Sequence, residues 1–298
     1  MTNYTIIIPH KNIPQLLQRC LDSIPRRDDV QIIIVDDNSD SDKVDFANFP
    51  AMNDPFVEII FGKNENGRKG AGYARNLGLE KAKGNRLIFA DADDFFMPCF
   101  NEVLDKYKDD ENDIIYFNAT SIDSETLQPT GRHVFTKRIL DKVQKTKQFD
   151  LLFEIGMPWG KFIKREIVEK NKIQFQEYKW SNDVLFSVKC CAYAETEIVA
   201  DDVVYCITAR LGSLMNKHTL ESMQTRFHSN YEAILYLRKH NKTARLQHLL
   251  NWWNEIYKTK KNTAIFLLPK MINACGLKFV YKHIIKQRLK NKYNKFFK

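Results

Sequence analysis

The sequence predicts an α/β protein in which a mostly parallel sheet is flanked by helices and followed by a helical, basic C-terminal extension. Short apolar, β-branched runs recur through residues 1–118. Helical patterns separate these runs, which is typical of a sheet buried on both faces. The charge distribution predicts the extension. Residues 220–298 hold 17 Lys and Arg against three Glu, a balance of +14, whereas residues 1–219 hold 29 basic and 34 acidic residues, a balance of −5.

The first predicted elements are a strand, a helix and a second strand. Residues 5–8 are an uninterrupted apolar run, as in a buried parallel strand. Asn12 is predicted to cap the following helix, with Pro14 in its first turn. Residues 30–35 are the second apolar run. Between the two runs, apolar side chains recur at helical spacing, at Leu16, Leu17, Cys20, Leu21 and Ile24.

The remaining elements continue this alternation as far as residue 118. A helix over residues 71–83 is predicted to end at Gly84. Beyond residue 119 the pattern loosens, and from Leu220 onward it is helical. We therefore expect three parts, which span residues 1–118, 119–219 and 220–298. The further strands are predicted over residues 56–61, 86–90 and 113–118.

Composition excludes several classes of protein. The chain has 298 residues, of which 44% are hydrophobic and 28% charged, with 11 Gly and 9 Pro, so collagen-like and disordered proteins are excluded. The six cysteines form no C-x-x-C pair and no signal-peptide pattern precedes the first strand, which predicts a reduced, cytosolic compartment. No run of 18 apolar residues occurs, so we predict no transmembrane helix.

Acidic clusters follow two of the predicted strands. Residues 36–40 (DDNSD) follow the second strand, and residues 91–94 (DADD) follow the fourth. A lone acidic cluster is usually a solvated loop, but ligands of open α/β sheets bind at the carboxyl ends of the strands. Carboxylates that lie close together repel one another and need a cation, and oxygen ligands suit Mg²⁺ or Mn²⁺. Because Mg²⁺ often shares phosphates with a substrate, the clusters predict a nucleoside diphosphate partner.

Four ordered motifs resemble the nucleotide-sugar-binding half of family 2 glycosyltransferases, which have the GT-A fold. They are a strand ending in Pro-x-x-Asn, a V-D-D-x-S segment, a Gly-x-x-x-Ala-Arg-Asn helix and a strand ending in D-x-D-D. In this sequence they read IIIPHKN, IIIVDDNSD, GRKGAGYARN and RLIFADADD. One D-x-D alone is a weak signal, whereas four motifs in order are a specific one.

The resemblance implies donor-binding residues. Pro9 would line the base pocket, and Asp36 and Asp37 would bind the uracil edge or the ribose. Arg75 would contact the diphosphate or the sugar, with a surface ion pair as the alternative. Lys69 lies just before that helix, where a lysine is more often solvated.

The D-x-D-D motif implies the metal ligands. Asp91, Ala92 and Asp93 form the D-x-D, which would contact the diphosphate through Mn²⁺ or Mg²⁺. Asp93 is the first choice as the metal ligand, Asp91 joins it, and Asp94 is a second candidate. A UDP-linked donor is favoured only by what is usual in the family.

The second half of the sequence contains the residue that the resemblance implies to be the catalytic base. Residues 159–166 (WGKFIKRE) resemble a block found in family members that build bacterial surface glycans. Asp183 then matches the catalytic base, with Asn182 where Glu is usual. An Asp here is also a good helix N-cap without catalysis. Arg210 lies in a segment, residues 205–213, that resembles a family strand and loop, and it would meet the diphosphate or the acceptor or serve as a surface arginine.

The implied function is metal-dependent, inverting hexosyl or N-acetylhexosaminyl transfer from a nucleotide sugar to a glycan or lipid-linked acceptor of a bacterial surface polysaccharide. Residues 262–298 combine apolar and Lys residues and are expected to contact an anionic membrane, which would give a cytoplasmic, peripheral location on the inner face of the plasma membrane. The alternative is that their apolar stripe packs on the domain. A nucleotidyltransferase and a non-catalytic membrane or polyanion binder are the alternative functions. The acidic body argues against nucleic-acid binding.

Overall fold

The computed structural model describes residues 2–63, 70–210, 212 and 218–285. The chain divides into two compact units, an N-terminal unit over Met1–Asn216 and a C-terminal unit over Lys217–Lys298. Nothing in the described residues is a helix long and apolar enough to cross a bilayer.

The N-terminal unit contains a mixed sheet, to which its described residues contribute eight strands in the order β3-β2-β1-β4-β7-β6-β8-β5. The pairings β3–β2, β2–β1, β1–β4 and β6–β8 are parallel, whereas β7 is antiparallel to β4 and β6, and β5 to β8. The predicted α/β class with a mostly parallel sheet is thereby confirmed. The strands are β1 (Tyr4–His10), β2 (Val30–Asp36), β3 (Val57–Phe61), β4 (Arg86–Phe89), β5 (Phe95–Phe96), β6 (Ile114–Asp123), β7 (Lys161–Lys164) and β8 (Glu197–Ala209).

Helices cover both faces of this sheet. On β1, Ile6 and Ile8 pack into the main core, which also holds residues of α1 and α3. Ile7 points to the opposite face, where a Cβ added to Gly78 of α2 would lie 2.5 Å from its Cγ2. Only glycine therefore allows α2 to lie this close to the sheet. The helices of this unit are α1 (Pro14–Asp22), α2 (Ala71–Lys81), α3 (Phe100–Lys106), α4 (Val134–Thr146), α5 (Arg165–Lys170) and α6 (Val184–Tyr193), with 3₁₀ turns at Phe46–Asn48, Pro50–Asn53 and Phe149–Glu154.

The predicted cap of α1 is wrong. The residue before Pro14 is Ile13, and the helix has no side-chain cap. Asn12 instead adopts a left-handed φ of 59°. Its Nδ2 donates to Asp40 Oδ2 at 2.8 Å, and its Oδ1 accepts from the Asp40 amide at 2.8 Å. This pair of hydrogen bonds joins the loop after β1 to the loop after β2, so Asn12 shapes the carboxyl edge of the sheet.

The second half of the unit departs from the expected short elements. β6 runs five residues beyond the predicted end at 118, and β8 is 13 residues long. The predicted boundary between residues 118 and 119 therefore lies inside β6. The proposed donor and acceptor halves share one sheet, and their functional division remains a prediction.

The C-terminal unit is helical, with α7 (Leu220–Lys239) and α8 (Leu246–Thr259) as its longest helices. Thr219 caps α7 by accepting a hydrogen bond from the Ser222 amide. Trp253 is 1% exposed, and its indole N–H donates to the Ala264 carbonyl at 2.8 Å, which anchors the segment after α8. The unit continues through α9 (Lys261–Phe266), α10 (Leu268–Cys275), α11 (Leu277–Val280) and a π-helical turn at Tyr281–Ile285.

Candidate active site

The carboxyl ends of the parallel strands β2, β1 and β4 bring the two acidic clusters to one edge of the sheet. Backbone pairing aligns His10 with Asp36 and Ile7 with Phe89, so the loops that follow β2 and β4 lie on either side of the end of β1. Pro9 is buried within β1 and pairs with Val35. The edge thus has the position expected of a ligand site in an open α/β sheet.

Asp36 is held by a network of its own. His10 Nδ1 donates to Asp36 Oδ1 at 2.9 Å, and the Ser39 hydroxyl and amide donate to the same carboxylate at 2.5 and 2.8 Å. His10 Nε2 accepts from the Ile13 amide, which assigns the ring proton to Nδ1. Burial raises the pKa of Asp36, but the hydrogen bonds from His10 and Ser39 outweigh it and hold the pKa below its usual range. Asp36 is therefore a charged anchor of the loop after β2.

Asp37 contacts the residue that precedes α2. Its Oδ1 accepts from the Gly70 amide at 2.8 Å, just ahead of α2. Gly70 has a φ of 95°, a left-handed conformation that glycine adopts without strain. Lys11 Nζ donates to the Asp37 carbonyl at 2.7 Å. The predicted contact residue Lys69 precedes Gly70 and lies outside the described residues.

The two carboxylates of the D-x-D each face an arginine. Asp91 Oδ1 accepts from Arg75 Nη2 at 2.5 Å, and Asp93 Oδ2 accepts from Arg210 Nε at 2.8 Å. The Asp91 side chain is 36% exposed and the Asp93 side chain 20%. Both carboxylates thus lie at the accessible edge with a positive charge beside them.

Asp94 and Ala92 face the interior. Asp94 is 2% exposed, and its Oδ1 accepts from the Thr208 amide at 2.7 Å. Burial and the negative charges of Asp91 and Asp93 raise the pKa of Asp94 well above its usual range. Ala92 belongs to the main core. Asp94 is therefore positioned as an internal anchor of the loop, and only the backbone of Ala92 is at the edge.

Arg75 joins the D-x-D to the segment before α6. Besides its bond to Asp91, its Nη1 donates to Asn182 Oδ1 at 2.9 Å, although the two residues are 107 positions apart. Arg75 is 5% exposed, and its guanidinium lies 5.3 Å from the centre of the Phe175 ring. Arg75 thus forms a buried bridge between two parts of the site, and its contact with the donor stays a prediction.

A close backbone approach makes this bridge possible. A Cβ at Gly72 would lie 2.0 Å from the Gln176 carbonyl oxygen and 3.1 Å from Cβ of Asn182. The start of α2 can therefore pack against residues 176–182 only because position 72 has no side chain. The Asn182 carbonyl accepts from the Gln176 amide at 3.1 Å, which closes the turn before α6.

Asp183 is the N-cap residue of α6 by position, but its side chain makes no capping hydrogen bond. Its carbonyl accepts from the Ser187 amide at 2.9 Å, so the backbone alone begins the helix. The side chain is half-buried. The side chain therefore provides no capping contact, and the role of Asp183 as a base stays a prediction.

Sequence reasoning missed the residues that support the loop of the D-x-D. The Tyr205 hydroxyl accepts from the Asp91 amide at 2.8 Å, and Thr208 Oγ1 donates to the Asp93 carbonyl at 2.6 Å. Arg19 donates to that same carbonyl at 2.7 Å. Tyr205 stacks on Trp159 with ring centres 5.7 Å apart, which explains why the tryptophan of the second motif block lies near the site.

The residues at this edge fit a divalent cation that is shared with a substrate diphosphate. Among the described residues no group of three or more His, Cys, Asp or Glu could enclose a metal. Mg²⁺ and the similar Mn²⁺ are, however, commonly bound by one or two carboxylates together with substrate phosphates and water. Asp91 and Asp93 supply such hard oxygen ligands at an accessible edge, so the donor set fits a cation bound jointly with a diphosphate.

The chain is similar to characterised and uncharacterised glycosyltransferases. It is 25% identical over 245 residues to the uncharacterized glycosyltransferase EpsJ of Bacillus subtilis, which covers 79% of this chain and 70% of EpsJ. Its fold resembles S. aureus TarS 1–349 in complex with UDP-GlcNAc, with a TM-score of 0.65 at 18% identity over 94% of this chain and 81% of TarS 1–349. It also resembles the mannosyltransferase PcManGT of Pyrobaculum calidifontis in complex with GDP-Man and Mn²⁺, with a TM-score of 0.55 at 17% identity over 91% and 73% of the two chains.

The family assignment rests on a match that covers more than half of the sequence. Residues 5–171 match the model of glycosyl transferase family 2, which includes both acidic clusters and the strands that precede them. The TarS likeness agrees with the GT-A architecture of the sheet. The chain is therefore a glycosyltransferase, and it belongs to glycosyl transferase family 2.

Proposed function

We propose that this protein transfers a hexosyl or N-acetylhexosaminyl group, with inversion, from a UDP-linked sugar to a glycan or lipid-linked acceptor of a bacterial surface polysaccharide. The observation that carries the proposal is the Arg75 bridge, because it ties Asp91 of the D-x-D to Asn182, the neighbour of the proposed base. A leaving-group site and a base on opposite sides of one sugar are what inverting transfer requires. The UDP-GlcNAc complex of TarS supports a UDP-linked donor.

The donor end of the site is proposed to bind the nucleoside. Asp37, beside Asp36, would accept hydrogen bonds from the uracil edge or the ribose hydroxyls, and the buried Asp36 network would keep this loop fixed. Pro9, at the end of β1, would contribute backbone rather than its ring, since the residue is buried. Lys69 stays a proposed contact by its position before α2.

The diphosphate end is proposed to collect positive charge. Asp93 and Asp91 would hold Mn²⁺ or Mg²⁺, which when bound stabilises the negative charge that develops on the leaving nucleoside diphosphate. Arg210 would move from Asp93 to a phosphate oxygen as the donor binds. Because Asp93 would then be released to the cation, donor and cation binding are expected to favour each other.

Asp183 is proposed as the general base. Its carboxylate would accept the proton of the acceptor hydroxyl while that oxygen attacks C1 of the sugar and the bond from C1 to the diphosphate oxygen breaks. Arg75 and Asn182 would act as positioning residues that fix the position of Asp183 relative to the diphosphate site. Because the Asn182 side chain is neutral, Asp91 is the carboxylate that Arg75 contacts in this bridge.

A panel of UDP-, GDP- and dTDP-sugars is the direct test of this function. With Mn²⁺ present, we expect one nucleotide class to bind and to be slowly hydrolysed with release of its nucleoside diphosphate, and we expect chelation of the metal to stop the release. A nucleotidyltransferase would instead release pyrophosphate from a nucleoside triphosphate. A folded protein that neither binds nor hydrolyses any member of the panel would contradict the proposal.

Arg210→Gln tests the exchange of partners at Asp93. In the absence of nucleotide, the variant is expected to bind Mn²⁺ about tenfold more tightly than wild type, because a competing cation has been removed from the carboxylate. Its affinity for UDP should fall. Calorimetric titration with Mn²⁺ alone, and with UDP alone, measures both effects.

Arg132→Gln is the matched control for Arg210→Gln. This exposed arginine donates to the Thr208 carbonyl and to no carboxylate of the motif. Its removal should leave Mn²⁺ affinity within about twofold of wild type, since exposed charges at a distance are screened. Equal Mn²⁺ affinities of Arg210→Gln and wild type would exclude the competition.

A further inference from the structure

The C-terminal unit leaves a group of apolar side chains exposed. Of the large apolar side chains that are exposed among the described residues, five lie within residues 265–281. Phe266 is 82% exposed and Leu277 is 63% exposed. Single exposed apolar residues are ordinary, whereas several within one short segment point to a binding surface. The five are Ile265, Phe266, Ile272, Leu277 and Tyr281.

The exposed group is distinct from the core of its own unit. Along α9 and α10 the buried positions follow helical spacing and meet α7 and α8; they are Ala264, Leu267, Met271 and Ala274. Ile265 and Ile272 each lie one position later, about 100° around the helix. Leu268 and Cys275, which are partly buried, continue this second line. The segment therefore carries two apolar stripes, and the core of the unit buries the first.

The charged residues within the segment that carries the second stripe are all of one sign. No Asp or Glu follows Glu255 in the sequence, whereas residues 256–298 contain 12 Lys and Arg. Five exposed lysines flank the apolar group in the described residues, and they are Lys260, Lys261, Lys270, Lys278 and Lys282. We name the five apolar side chains together with these five lysines the lysine-flanked surface.

We propose that the lysine-flanked surface docks on the face of an anionic lipid bilayer, with its apolar side chains in the headgroup region and its lysines against lipid phosphates. No described helix is long and apolar enough to span a bilayer, so the helices would lie along its plane. A bilayer with anionic headgroups has an apolar interior for the apolar side chains and negative charge for the lysines, so it is complementary to this surface.

Other occupants fit the surface less well. A second copy of the chain would bring its own lysines against these lysines, with no carboxylate after Glu255 to separate them. A soluble polyanion would use the lysines but would leave Phe266 and Leu277 exposed to water. The bilayer is the partner that uses both kinds of side chain.

This inference deepens the proposed function, because it names the surface on which a lipid-linked acceptor would be met. Its test does not depend on transfer. Donor hydrolysis is measured in parallel on the same proteins, so failure of membrane docking and failure of the proposed chemistry give different results.

The test compares vesicle binding by the full chain and by a double variant. Phe266→Ser/Leu277→Ser removes two strongly exposed side chains, so the fold should be retained. Sedimentation with phosphatidylcholine vesicles containing phosphatidylglycerol should show at least about tenfold weaker binding by the variant, because two apolar side chains no longer enter the interface. Binding by wild type should fall with salt and on vesicles of phosphatidylcholine alone.

Met52→Ser/Leu127→Ser is the matched control. These two exposed apolar residues lie in the N-terminal unit, and Leu127 is 61% exposed. The control should bind vesicles within about twofold of wild type, and both double variants should keep wild-type donor hydrolysis, since neither touches the site.

Four results would overturn the inference. The first is no affinity of wild type for anionic vesicles, and the second is equally tight binding to vesicles of phosphatidylcholine alone. The third is wild-type affinity in Phe266→Ser/Leu277→Ser, which would mean that charge alone acts. The fourth is a wild-type dimer in sedimentation velocity without lipid that this variant converts to monomer, which would assign the surface to a second copy.

Discussion

Asp183→Asn is expected to lower kcat for sugar transfer by about 10³-fold or more while leaving the affinity for UDP within about twofold of wild type. A positioned general base contributes roughly 10²–10⁴-fold to rate, and an amide cannot accept the acceptor's proton. Asn has the size of Asp, and the Asp183 carbonyl that begins α6 is unchanged by the substitution. The two readouts are single-turnover transfer and calorimetric binding of UDP.

A charge control separates the loss of a base from the loss of a carboxylate. Asp202→Asn removes a carboxylate on β8 that pairs with Lys106 and Tyr107, away from the edge with the D-x-D. Its kcat should stay within about twofold of wild type. If Asp183→Asn retained more than about a tenth of wild-type kcat, another residue would have to be the base.

Asp93→Asn is expected to produce the second large effect, a loss of about 10²–10³-fold in kcat/KM that added Mn²⁺ does not restore. The change removes a ligand charge from the proposed cation site, whose role is to stabilise the leaving diphosphate. UDP binding measured with Mn²⁺ should weaken as well, unlike in Asp183→Asn. The pair of variants therefore assigns the two halves of the chemistry to different residues.

Asp94→Asn is the matched control for that experiment and also tests Asp94 as a metal candidate. Burial and the charges of Asp91 and Asp93 raise the pKa of Asp94, so its charged form is disfavoured here relative to water, and the isosteric amide removes that charge. An Asn carbonyl can still accept from the Thr208 amide. We expect activity within about tenfold of wild type, and a loss as large as that of Asp93→Asn would place Asp94 among the ligands.

Strands β1, β2 and β4 were predictable because they are buried on both faces of the sheet. β2 and β4 appear as apolar runs, and the acidic residues start where those two runs stop, so the strands and the edge both follow from one pattern. β7 and β8 give no such signal. Lys161 is buried in β7, where desolvation lowers its pKa to about 8, and Asp201 and Asp202 interrupt the apolar residues of β8.

The contacts within the site were less predictable than its residues. Asp91 and Asp93 could be chosen from their place after β4, but their arginine partners could not, because Arg210 is 117 positions from Asp93. The prediction that Asn12 caps α1 failed because the Asn12 side chain instead forms hydrogen bonds with Asp40, which is distant in the sequence. His10 and Tyr205 act through buried hydrogen bonds to loop residues, and sequence spacing carries no signal for such contacts.

The place of β8 in the sheet affects when the site can form during synthesis. β8 inserts between β6 and β5, and its Tyr205 and Thr208 hold the loop of the D-x-D. A nascent chain that has exposed only the first 120 residues has both acidic clusters but lacks the strand that supports the second. The proposed donor site is therefore expected to be complete only after residue 209 has left the ribosome, since shorter fragments contain the motif without the strand that supports it.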